Sequence, residues 1–130
     1  MFETPKIYFT KTNENAELPH RENISDPGYL FKATEDITIP SRNQIKISTN
    51  LIIEDIVRGV WGLIMPTDAL NEEYEVFPLT KIINNTFRGE LKICLYNASE
   101  NDYTLKKGEV YARIVYMPLL TIEPELKKHE

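Results

Sequence analysis

The side chains able to do chemistry are few and scattered along the chain. Glu72, Glu73 and Glu75 form a carboxylate cluster, with Glu54 and Asp55 as neighbours to consider. A calcium loop alternates its oxygen ligands around a central glycine, and that glycine is missing, so a solvated acidic face is expected and no metal is assigned. His20 and His129 sit near opposite ends and make no triad with Cys94, the only cysteine. A single thiol forms no intrachain disulfide and no multi-cysteine zinc site. Cys94 falls inside a strand pattern, where packing is the ordinary use. No glycine-rich phosphate loop is present, and Lys127-Lys128 is too short for a nucleic-acid patch. Three Asn-x-Ser/Thr triplets, at Asn23, Asn84 and Asn97, are read as chance matches because the Met1-Phe2-Glu3 start lacks a signal peptide.

The elements that must position these groups are mostly strands. Lys6–Thr10 is β-prone, Gln44–Thr49 alternates polar with apolar, Glu90–Tyr96 does the same, and Val110–Met117 is β-branched and aromatic. Turn signals separate them at Asp26-Pro27-Gly28, Arg58-Gly59, Asn84-Asn85, Arg88-Gly89 and Lys107-Gly108, among others. Short strands at this spacing predict an all-β sandwich, barrel or jelly roll. One short helix is expected over Asp68–Tyr74, and the polar residues 121–130 are expected to fray.

Composition sets the outer bounds. A chain of 130 residues predicts one domain, residues 1–130, with 42% apolar and 27% charged residues. The net charge of −5 argues against tracking nucleic-acid phosphates. Apolar runs of about six residues are too short to span a bilayer, so an intracellular protein, cytoplasmic or nuclear, is expected.

Four segments, in order and at consistent spacing, resemble the trimeric dUTP pyrophosphatase (dUTPase) family. Asp26-Pro27-Gly28-Tyr29-Leu30-Phe31-Lys32-Ala33 is similar to the family's Asp-Ala-Gly-Tyr-Asp-Leu-x-Ala. Trp61-Gly62-Leu63-Ile64-Met65-Pro66-Thr67-Asp68-Ala69-Leu70 resembles its second motif, Gly-Arg-Ile-Ala-Pro-Arg-Ser-Ser-Leu. Ile82-Ile83-Asn84-Asn85-Thr86-Phe87-Arg88-Gly89-Glu90-Leu91 resembles Val-Ile-Asp-x-x-Tyr-Arg-Gly-Glu-Ile, and Lys107–Ile114 resembles Gly-Asp-Arg-Ile-Ala-Gln-Leu. Together they span roughly residues 25–118. The resemblance implies a jelly-roll β-barrel, a homotrimer, and attack of water on the α-phosphorus of dUTP.

At the positions that carry that chemistry, the residues differ. Leu30 stands where the resemblance implies the aspartate that holds magnesium through water, and leucine binds no hard cation. Thr67 and Asp68 replace the phosphate-binding arginine and serine, and Asp68 would repel a triphosphate. Asn84 replaces the water-orienting aspartate, Phe87 the tyrosine that packs on the sugar, Lys81 a glycine beside the base pocket, and Arg113 a phosphate-contacting glutamine. The glycine-rich C-terminal arm has no counterpart in Thr121–Glu130. These departures lead to the expectation of a member that has lost catalysis and uses no cofactor. It would act through a protein partner, as repurposed relatives in DNA viruses do, an adenoviral early protein engaging host signalling proteins among them. The partner surface is expected around Met65, Asp68, Glu72, Glu73, Tyr74, Lys81 and Phe87, with Val76, Phe77 and Leu79 available for trimer contacts. A non-catalytic nucleotide binder, or a divergent active dUTPase, is the alternative.

Overall fold

The computed structural model describes residues 4–129; the expectations for Met1-Phe2-Glu3 and for Glu130 lie outside them. Two four-stranded antiparallel sheets enclose the core. The first orders β1 (Ile7–Lys11), β4 (Gln44–Ile56), β8 (Gly89–Asn97) and β6 (Val76–Pro78). The second orders β2 (Tyr29–Lys32), β10 (Val110–Pro118), β5 (Val60–Met65) and β7 (Lys81–Ile83). A two-stranded ribbon, β3 (Ile37–Ile39) with β9 (Tyr103–Leu105), completes the strands. The all-β, jelly-roll-like expectation holds, with one difference: the sheets end at edge strands β1, β6, β2 and β7 and do not close into a barrel.

Alternation decides which residues form the core. In β8, Leu91, Ile93 and Leu95 are fully buried while Glu90, Lys92 and Cys94 take the other face. In β4, Ile47, Thr49, Leu51 and Ile53 point inward. The strand runs seven residues past the expected Thr49 because Asn50, at φ 59°, absorbs a register shift between Ser48 and Ile52 instead of ending the ladder. Thr49 survives in the core because its hydroxyl donates to the Leu91 carbonyl at 2.8 Å.

The helix α1 (Asp68–Tyr74) forms as expected and buries Leu70. Thr67 occupies the N-cap and makes no side-chain cap bond. The helix stops at Glu75, which takes the left-handed C-cap conformation at φ 58° and returns its N–H to Asn71. Val76 follows and is fully buried, so it cannot offer trimer contacts; Phe77 stacks on Tyr96 with centroids 5.8 Å apart, and Leu79 is exposed. Beyond β10, residues 119–129 form no helix or strand and are exposed. No helix among the described residues is long and apolar enough to cross a membrane.

Candidate functional site

The second sheet places three of the motif segments side by side. Arg113 of β10 pairs with Leu30 of β2 on one flank and Met65 of β5 on the other. Gly28, just before β2, lets that strand lie close to β10: a Cβ there would sit 2.8 Å from the Ile114 carbonyl oxygen. The Arg113 side chain is largely buried, donates from Nε to the Pro66 carbonyl at 2.9 Å, and lies 3.6 Å from the Asp68 carboxylate. Asp68 itself is 88% exposed, so this pair is worth a fraction of a surface ion pair, about 0.2–1 kcal/mol. Arg113 thus partners a nearby carboxylate and a backbone carbonyl.

The turn that crosses from β7 of the second sheet to β8 of the first carries the rest. Asn84 closes its turn: Oδ1 accepts from the Thr86 N–H at 3.1 Å and its hydroxyl at 2.7 Å. Arg88 fixes the turn from outside, donating to the carbonyls of Asn85 (2.9 Å) and Phe87 (2.7 Å) and to Asp55 of β4 (3.0 Å). Phe87 packs one side against the core, and the Lys81 ammonium lies 5.1 Å from its ring centroid. Phe87 and Lys81 border a cavity of about 430 Å³ on the outer face of the first sheet, with Lys46, Glu90, Lys92 and Cys94.

The groups do not form one constellation. Ile83 pairs with Gly62, so Asn84 leaves the sheet about 10 Å along β5 from Met65, at the 3.3 Å rise of a strand. Glu72 and Glu73 are exposed on α1, and Tyr74 turns to Tyr103, ring centroids 4.9 Å apart. None of α1 borders the Lys81–Phe87 cavity. Burial, then a hydrogen bond to Glu109, raises the Tyr103 phenol well above its ordinary pKa. Asp26 ties back to the backbone N–H groups of Glu22 and Asn23, at 3.1 and 3.0 Å, a local turn role. Sequence reasoning passed over Lys46 and Lys92, which looked like ordinary polar positions of alternating strands; only the pairing of β4 with β8 brings them together.

The resemblance implies a magnesium ion. Leu30 offers no donor at the implied position, and no group of three His, Cys, Asp or Glu side chains able to hold a metal exists among the described residues. The residues present do not fit a divalent ion held by this chain.

The family model described as dUTPase matches residues 14–130. The deoxyuridine 5'-triphosphate nucleotidohydrolase of Paramecium bursaria Chlorella virus 1 is 34% identical over 111 residues, covering 85% of this chain and 78% of the relative. The nucleotidohydrolase of fowl adenovirus A serotype 1 is 26% identical, covering 95% and 68%. Among solved structures, the dUTPase of Staphylococcus bacteriophage 80alpha superposes with a TM-score of 0.81 at 23% identity, over 98% of this chain and 97% of that one. The chain belongs to the dUTPase family.

These likenesses overturn the expectation of a non-catalytic protein working through a host partner. The relatives carry the name of an enzyme, deoxyuridine 5'-triphosphate nucleotidohydrolase, in viruses and cellular organisms alike. A family match over residues 14–130 and 34% identity over 85% of the chain weigh every position of the domain together. Substitutions at individual positions do not outweigh that match.

Proposed function

We propose that this chain is a dUTP nucleotidohydrolase: water attacks the α-phosphorus, the bond to the bridging oxygen breaks, and dUMP and pyrophosphate leave. The observation that carries the reading is the 34% identity over 85% of the chain to a viral enzyme of that name. The ordered turn between β7 and β8 supports it. Phe87 offers a flat apolar face for the sugar, and Arg88 holds the turn that presents it. Asn84 spends its carbonyl on Thr86, which leaves the amide N–H groups as donors toward the nucleotide. Arg113 supplies a positive charge at the far end of the second sheet.

A nucleotide substrate supports reading the protein as intracellular, and the continuous core supports reading residues 1–130 as one domain. We also propose a homotrimer. Within one chain the Asn84 turn and the Leu30–Arg113–Met65 row are separated along β5, so neighbouring copies would complete each site. Phe77 and Leu79 remain as contact residues.

The test is direct. The purified chain is incubated with dUTP, and with dTTP and UTP as controls, and pyrophosphate and dUMP are quantified. Release from dUTP well above the buffer rate is expected; release no faster than buffer alone overturns the proposal. Light scattering at micromolar concentration is expected to give three times the 15.1 kDa chain mass, and a monomer mass rejects the trimer.

A further inference from the structure

A row across the second sheet holds a cation between apolar side chains. Leu30 of β2 and Met65 of β5 pair with Arg113 of β10, one on each flank. Cross-strand partners share a face, and the neighbouring Phe31, Ile64, Ala112 and Ile114 are buried, so the row faces away from the core. Lys32, two residues past Leu30 on β2, takes the same face and has no carboxylate within 4 Å among the described residues.

The Arg113 guanidinium is held in place and still has donors to give. Its side chain is 15% exposed and is anchored by one hydrogen bond, from Nε to the Pro66 carbonyl. The terminal nitrogens make no hydrogen bond among the described residues; Asp68, at 3.6 Å, is beyond hydrogen-bonding distance and is itself exposed. No buried side-chain nitrogen among the described residues lacks a partner, so those terminal groups reach the surface. A guanidinium stays charged throughout the physiological pH range, and its fork of N–H groups matches a phosphate bidentately. For a metal the row is unsuited. Glu109, just before β10, spends its oxygens on the Tyr103 hydroxyl and the Lys106 N–H. A divalent cation here would meet two positive charges, two apolar side chains and one carboxylate, Asp68, already paired with Arg113.

We propose that Arg113, aided by Lys32, takes the place of the divalent ion, so that this chain binds the phosphates of its nucleotide without a metal. The proposal deepens the dUTP reading and rests on it for the identity of the nucleotide. Asp68 tempers the site, because it competes with the phosphate for the guanidinium and repels it.

The probe is dUTP with an imido group bridging the α- and β-phosphorus atoms, titrated calorimetrically at low salt into the full chain, once with magnesium chloride and once with EDTA. Equal affinity in the two buffers is expected. In EDTA, Arg113→Gln is expected to weaken binding at least about tenfold, and Asp68→Asn to tighten it. Arg58→Gln, exposed at the opposite end of β5 from Met65, is the control and is expected to change nothing. Melting temperatures verify that each variant folds. Should Arg113→Gln unfold, Asp68→Asn decides: tighter binding in EDTA supports the proposal and unchanged binding overturns it. Binding that requires magnesium, no binding in either buffer, or a folded Arg113→Gln that binds as tightly as the wild type also overturns it. Turnover of dUTP in the same two buffers separates the two claims. Turnover together with binding that requires magnesium removes the metal-free site and leaves the hydrolase. Arginine-dependent binding in EDTA without turnover in either buffer keeps the site and removes the hydrolase.

Discussion

Asn97 offers the sharpest test of how this fold is held. It closes β8, is fully buried, and makes four hydrogen bonds with one side chain. Nδ2 donates to the carbonyls of Ile39 (3.0 Å) and Asn101 (2.8 Å), while Oδ1 accepts from the Ser99 N–H (3.0 Å) and hydroxyl (2.8 Å). The residue thereby ties the first sheet to the β3–β9 ribbon and to the loop between β8 and β9. Each bond contributes about 0.5–1.5 kcal/mol net, so Asn97→Ala is expected to cost about 4 kcal/mol. A chain of this length has an unfolding entropy of about 0.27 kcal/mol/K, which converts the loss to a fall in Tm of about 15 °C. Asn97→Asp refines the test. It keeps the acceptor toward Ser99 but turns a carboxylate toward two carbonyl oxygens, so it is destabilising at neutral pH. Protonation restores one donor. Burial raises the carboxyl pKa in the folded state, so the deficit shrinks as the pH falls toward that of the unfolded group, about 4, and grows as it rises. Thermal melting followed by circular dichroism at both pH values reads each effect. A loss under about 5 °C for Asn97→Ala, or no pH dependence for Asn97→Asp, would refute the reasoning.

Gly28→Ala drives a Cβ to 2.8 Å from the Ile114 carbonyl oxygen, which cannot yield without moving β10, whereas Gly62→Ala meets the flexible Ile114 Cδ1 at the same 2.8 Å. Denaturant titration is expected to show a loss of about 1–3 kcal/mol for Gly28→Ala and a smaller one for Gly62→Ala; the reverse order contradicts the packing account. Arg113→Ala is expected to cost about 1.5 kcal/mol or less, because its ion-pair partner is exposed and its one other bond is to the Pro66 carbonyl. A melting shift beyond about 6 °C would show a larger structural role. Alkaline stability follows from Tyr111, fully buried, whose phenol burial pushes well above its ordinary pKa. Its contribution is intact below the unfolded tyrosine pKa near 10 and falls as the pH rises above it, by about 1.4 kcal/mol at pH 11. Tyr111→Phe is expected to flatten that decline in urea melts taken between about pH 9 and pH 11, and an unchanged decline refutes the assignment.

The sequence alone determined the strand-rich class, the short helix at Asp68–Tyr74 and the family. Each of these is written in local pattern: period-two burial in Glu90–Tyr96, turn residues between runs, and four motifs in order. Their interpretation was less secure, since judging Leu30, Asn84 and Asp68 one position at a time led to an inactive protein, against the whole-domain likeness to nucleotidohydrolases. Only the tertiary structure decided which side chains meet. The β4–β8 register brings Lys46 beside Lys92, residues more than forty positions apart. The β2–β10–β5 order sets Leu30, Arg113 and Met65 in one row, while the reversed course of β7 carries Asn84 away from it. A polar residue in an alternating strand reads the same whether it faces bulk water or a basic cavity. The difference is a matter of partners across the sheet, which sequence spacing does not encode.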